Sequence, residues 1–348
     1  MKGSRCARVA IEFCTAGALG WVLLGAFVPR PARAAGAAAQ VRVPNAVFKQ
    51  AAGRVAFCVA KGAIIIAVAD GGGAGSRPPA VQPVGAGRVA VVLGAADWTG
   101  DDGKLTQLDA ELPTIARQVF NATATKNPLD QSASDIEAVG VTLLEFLRPL
   151  VSDIHYKLNL AANEPLIEVL LAGYTEGYGP EIWDLHYRVQ QQSFGPDYWE
   201  TRPMRPAYYQ LYPPEKGQPR TFVEVQYPAK LAPLGLARAA QSDAQVERIR
   251  NSSLQMNAAI TAVLNGESVK ADARPVEDFV RLAMPVIAGP QAKLAIGAID
   301  EQTHFQWLLA PEDARSAPTE TKANQAPPGQ QTQTDRPSLR RAGPPTAP

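Results

Sequence analysis

Cysteine, histidine and net charge are all scarce, and each shortage excludes something. There are three cysteines. Cys6 and Cys14 fall in the leader described below, so Cys58 alone remains and an internal disulfide is excluded. The three histidines, His155, His186 and His304, stand far apart without ligand spacing, so no metal motif is read. His186 alternates with Asp184, which reads as a solvated strand face. Gly71-Gly72-Gly73 lacks both a following Lys-Ser/Thr pair and the dinucleotide glycine spacing. No Gly-x-Ser-x-Gly elbow is present. No cofactor is therefore expected. The formal net charge is +1, which offers no basic field for nucleic acid.

The two ends read differently from the middle. Lys2, Arg5 and Arg8 precede an apolar stretch from Phe13 to Val28. Ala32-Arg33-Ala34 and Ala37-Ala38-Ala39 then fit a small-residue cleavage site. Residues 1–39 are thus expected to be a signal peptide, and the protein to be exported, periplasmic or secreted. An uncleaved leader would instead anchor it in a membrane. Removing the leader takes net positive charge away and leaves the remainder at −3. No Leu-x-x-Cys pattern marks a lipoprotein. Residues 311–348 are rich in Pro, Gln, Thr, Ala and Arg without apolar periodicity, and are expected to be a disordered tail.

Between these ends, 40–310 reads as one globular domain. Val55–Ala60, Ala63–Ala69 and Val89–Leu93 are short Val-, Ile- and Ala-rich runs bounded by Gly, Pro or charge, as buried strands are. Lys61-Gly62 turns the first pair into a hairpin, and Ala80–Val84 pairs with the third run. Helical spacing predicts a helix over about 104–122, with Pro113 inside it, and a second helix capped by Ser134 with Glu137 three residues on. Leu166–Ala172 and Ile182–Val189 read as a hairpin, and Thr221–Tyr227 as a further strand. Helices over Ala244–Leu264 and Val276–Val286 follow, then a closing hairpin, Lys293–Ile299 with His304–Leu309. Blocks of strands alternating with blocks of helices predict an α+β fold with largely antiparallel sheets. Two facing sheets with helices on each outer side would bury every run.

This order resembles the N-terminal-nucleophile hydrolases, and within them the proteasome subunits. GAIIIAVAD is similar to the family's second strand, closing at Asp70. VQPVGAGRVAVVLGAAD is similar to the next hairpin, LIEVLLAGYTEGYGPEIWDLH to the central one and IAGPQAKLAIGAIDEQTHFQWL to the last. The resemblance implies an αββα four-layer sandwich of two mostly antiparallel sheets over 53–309, apart from 193–219. It also implies a Thr, Ser or Cys that begins the first strand, its own α-amino group as base, a lysine on the third strand and an aspartate ending the second.

The sequence departs from that pattern where the chemistry would sit. The implied nucleophile falls near Gly53 or Arg54, and no Ser, Thr or Cys occurs from Ala16 to Phe57. The implied lysine falls near Pro79 or Ala80. Asp70 remains, either as the family aspartate or as a plain turn former before three glycines. Cys58 could serve only if the chain were cut after Phe57; inside VAFCVA it reads as a buried thiol. Asp70 and Cys58 are therefore the catalytic candidates.

The Pro- and aromatic-rich excursion 193–219 interrupts the resemblance. It holds Tyr198, Trp199, Arg202, Arg205, Tyr208, Tyr209 and Tyr212, residue types favoured at interfaces. It reads as an aperiodic lid or an interface. The expectation is an exported proteasome-like domain without the nucleophile, a binding or structural module with a protein or peptide partner or a second copy of itself. The alternative is an amidohydrolase of the same class using a different nucleophile or processing at Cys58.

Overall fold

The computed structural model describes residues 47–72, 77–84, 87–100, 103–123, 131–175, 179–214, 221–302 and 304–311. The leader read at 1–39 lies outside the described residues, as does the tail read at 311–348 apart from Pro311. Its strands are β1 (Val47–Ala51), β2 (Gly53–Ala60), β3 (Ala63–Asp70), β4 (Val81–Val84), β5 (Arg88–Thr99), β6 (Leu105–Gln107), β7 (Ile167–Thr175), β8 (Gly179–Tyr187), β9 (Val189–Ser193), β10 (Trp199–Pro203), β11 (Ala207–Tyr212), β12 (Phe222–Tyr227), β13 (Leu294–Asp300) and β14 (Phe305–Leu309). Its helices are α1 (Leu108–Thr123), α2 (Gln131–Ser152), α3 (Leu236–Ser242), α4 (Ala244–Arg250), α5 (Leu254–Leu264) and α6 (Ala273–Ala288).

The fold is α+β with antiparallel sheets. One sheet has the order β12-β2-β3-β13-β14. The other runs β1-β5-β7-β8-β11, with β4 and β6 also on β5, and β9 pairs separately with β10. β5 is 12 residues long, enough for two partners on each edge. The Lys61-Gly62 turn places Gly62 at φ +69°, a region open to glycine without steric cost. The two successive hairpins near the N-terminal end join different sheets, β2–β3 the first and β4–β5 the second.

Strand alternation sorts the side chains into three cores. Val55, Phe57, Ile64, Ile66 and Val68 of one sheet share a core with Val89, Val91, Leu93, Leu170, Ala172 and Ile182 of the other. Alternate residues point away. Ala56, Cys58, Ile65 and Ala67 pack with Ile260, Val263, Phe279 and Val280 from α5 and α6. On the second sheet Ala90, Val92, Val169, Leu171 and Leu185 pack with Leu108, Leu112 and Phe120 of α1 and with Val139, Leu143 and Leu147 of α2. Each buried Leu, Ile or Phe contributes on the order of 1.5–3 kcal/mol. None of the helices is long and apolar enough to cross a membrane among the described residues.

Several expectations need correction. The helix read over Ala244–Leu264 is two, α4 and α5, broken at Asn251-Ser252-Ser253, where Ser253 accepts the Met256 amide as N-cap. A further short helix, α3, precedes them, and Asp243 caps α4 by accepting from the Gln245 and Val246 amides at 2.9 and 3.0 Å. α2 starts at Gln131, so Ser134 lies within the helix rather than before it. The excursion 193–219 is not aperiodic: it carries β10 and β11, and β11 extends the β8 edge of the larger sheet. β1 has no strand signature in the sequence, because VFKQA shows no apolar alternation.

Candidate functional site

Asp70 ends β3 directly across from Gly53, the first residue of β2. Its carbonyl accepts two bonds from the Arg54 guanidinium, both at 3.1 Å, and its side chain is buried. A β-carbon built on Gly53 would stand 2.5 Å from Cγ of Pro79 and 3.1 Å from Leu93. The space there, lined by Ala52, Gly53, Pro79, Leu93, Gly94 and Asp109 among others, measures about 10 Å³, about one water. Cys58 is fully buried on the helix-facing side of β2, and burial pushes its thiol far above the ordinary thiol range.

The residues read as an interface scatter. Tyr198 stacks on His155, with ring centroids 5.1 Å apart, and the Lys157 ammonium lies 5.6 Å over the Trp199 ring. Arg202 pairs with half-buried Glu200 and Arg205 with Glu137, the other three exposed. Tyr208 turns inward against Gly140, and Tyr212 packs on the inter-sheet core and bonds Ser268 at 3.2 Å. Tyr209 is 40% exposed and leans over His186, centroids 4.8 Å apart.

That last contact leads to a cluster of a different kind. Glu168 on β7 stands opposite His186 on β8, and Asp184 lies two residues along on the same face. This is the inward face, shared with Leu170, Ala172 and Ile182. Glu168 is 6% exposed and Asp184 5%. Asp184 Oδ2 lies 2.7 Å from His186 Nε2, and Glu168 Oε1 lies 3.7 Å from the same nitrogen. One ligand atom from each residue lies within 4.8 Å of the other two. Glu168 Oε2, Asp184 Oδ1 and His186 Nδ1 have no hydrogen-bond partner among the described residues. Burial, reinforced by the charges of Asp184 and Glu164, pushes the Glu168 carboxyl up to about 8. Burial also raises Asp184, against the pull of His186. Two carboxylates and one imidazole can hold a shared proton or a cation.

The solvated face read for Asp184 and His186 is thus a correction: that face is turned into the inter-sheet core. One signal was present. Glu168 is a charge in the middle of the apolar run LIEVLL, and a lone buried charge needs a partner. A larger cavity, about 300 Å³, is lined by Leu211, Phe222, Val223, Glu224 and Ala237. Its carboxylate, Glu224, accepts the Gly235 and Leu236 amides at the start of α3.

No protein-family model matches this chain, and no curated protein matches it.

Proposed function

We propose that this chain is an exported binding or structural module built on an αββα sandwich of the N-terminal-nucleophile hydrolase type, without the peptidase chemistry of that class. Three stacked apolar cores, one between two antiparallel sheets and one under the helices on each outer side, support the architecture. The observation that carries the functional reading is at Gly53. The resemblance puts a nucleophile there and a lysine near Pro79. The chain instead has a residue with no side chain, with a proline ring closed over it. Amide hydrolysis by this route needs an activated hydroxyl or thiol, and the 10 Å³ beside Gly53 admits no substrate. Cys58 is sealed under the helices, where a thiolate is costly. Exposed Tyr198, with half-buried Trp199 beside it, is suited to a protein or peptide partner or a second copy of the chain.

The test joins two measurements. Intact mass of the exported protein should place its N-terminus near Ala35 or Gln40. The same preparation should turn over no member of a broad peptide-amide library. A mature chain beginning at Cys58, with turnover abolished by Cys58→Ala, would overturn the reading. Gly53→Ser should stay inactive, because the added β-carbon meets the proline ring.

A further inference from the structure

We infer that Glu168, Asp184 and His186 form a binding site for one divalent transition-metal cation on the inward face of the β7–β8 hairpin. The inference stands on side-chain geometry and does not depend on the proposed fold family or its chemistry.

Three observations carry it. The first is the donor set. One imidazole nitrogen and two carboxylates suit zinc and the neighbouring first-row divalent ions rather than calcium or magnesium, which prefer oxygen alone. The second is spacing. Ligand atoms around a zinc at about 2.0–2.1 Å stand roughly 3.3 Å apart in a tetrahedron. Here the imidazole nitrogen sits 2.7 Å from one carboxylate and 3.7 Å from the other. Rotations of a few tenths of an ångström at the side-chain ends would even these distances. The strands need not move, because register already places Glu168 across from His186.

The third observation points to the ligand itself. Asp184 is 95% buried, Glu168 94%, and each keeps a buried carboxylate oxygen with no protein donor among the described residues. No Lys or Arg forms an ion pair with either of them among the described residues; the basic group paired with both is His186. Buried carboxylates without a counter-cation are costly unless they coordinate a metal or bind a proton. Access exists on one side, where His186 is 19% exposed beneath the half-open ring of Tyr209.

Zinc is the probe. Untagged full-length chain, stripped with chelator and dialysed, should bind about one equivalent of Zn²⁺ by calorimetry and melt at a higher temperature with zinc than without. Asp184→Asn and His186→Gln should each weaken that binding by about 10-fold or more and abolish the thermal shift. Glu168→Gln keeps the shape while replacing the ligating carboxylate with an amide, so it reports on ligation if either of the others fails to fold. Its zinc affinity should also fall by at least about 10-fold. His155→Gln and His304→Gln should leave binding unchanged. No zinc uptake by the folded wild-type chain, or uptake unaltered in folded Glu168→Gln, would overturn the site. Peptide-amide turnover, the readout of the proposed function, plays no part in either outcome.

Discussion

The β7–β8 hairpin carries a buried polar cluster at each end, and they are built on opposite plans. Near its turn, Arg88 from β5 reaches Thr175 Oγ1 at 2.7 Å, Thr175 donates to Glu181 at 2.9 Å, and Trp183 donates to the same carboxylate at 3.3 Å. Arg88 and Glu181 are both almost fully buried, 3.8 Å apart, and the guanidinium lies 4.9 Å over the Phe120 ring beneath α1. That cluster brings its own counter-charge. At the open end, Glu168 and Asp184 share one histidine and leave three polar atoms without protein partners. The first cluster is closed in charge, with Arg88 Nη1 facing Glu181 as an ion pair at 3.8 Å although it makes no hydrogen bond among the described residues, and it braces strands to helix. The second is open, and an open buried cluster is where a ligand or a proton has to complete the balance.

The largest expected effect comes from breaking the closed cluster. Arg88→Met leaves Glu181 buried without its cation and should cost about 3–5 kcal/mol in denaturant unfolding. Burial pulls the Arg88 pKa down against the opposing charges of Glu181 and Asp135, so those carboxylates offset the cost of burying its charge. Adding Glu181→Leu should restore most of the loss, since a well-packed apolar pair can replace a buried ion pair. If the double variant is no more stable than the single one, the cluster does more than balance charge.

The sequence disclosed these clusters unequally, as it did the fold. Continuous apolar runs such as AIIIAVA and VEVQY-like alternation identify strands because burial on one or both faces writes itself into every residue. Helix faces such as Leu108, Leu112, Ala116 and Phe120 are legible for the same reason. Breaks are less so. Asn251-Ser252-Ser253 separates α4 from α5 through backbone capping, which leaves the apolar period nearly intact. β10 and β11 hide because they lie at the surface, where neither face needs to be apolar throughout. Asp184 and His186 were visible as a pair, but which way their face pointed was not. Orientation came from Ile182 on the same face and from the register with β7, and register is a pairing property that one strand does not contain.

A second prediction tests the open cluster in metal-free protein. The ordinary carboxyl value is 4.5, and burial with the charges of Asp184 and Glu164 raises Glu168 to about 8. The folded state therefore keeps a proton that the unfolded chain releases above about pH 4.5. This contribution to stability is whole below that pH and is lost as pH rises toward 8. The Glu168 proton accounts for a fall in stability across that window of at most about 1.4 kcal/mol per pH unit, and raised Asp184 adds to it. Urea unfolding at several pH values, with chelator present, measures the slope. Glu168→Gln should flatten it. An equal slope in that variant would assign the proton elsewhere.

The smallest effect belongs at the surface, and it separates burial from mere pairing. Arg205 and Glu137 form an ion pair between the loop before β11 and α2, yet their side chains are 71% and 53% exposed. Water screens such a pair and competes for both groups, and holding two long side chains together costs entropy. Arg205→Ala should therefore change unfolding stability by less than about 1 kcal/mol, well below the loss from Arg88→Met although both remove an arginine from a carboxylate. The same variant tests whether this surface meets a second copy of the chain. An arginine buried at an interface would leave monomer stability nearly unchanged but weaken association, since interfacial arginines concentrate binding energy. Sedimentation of wild type and variant at matched concentrations reads that second property. A stability loss as large as that of Arg88→Met would mean that exposure does not set the worth of these pairs, and the contrast between closed and open clusters would lose its physical basis.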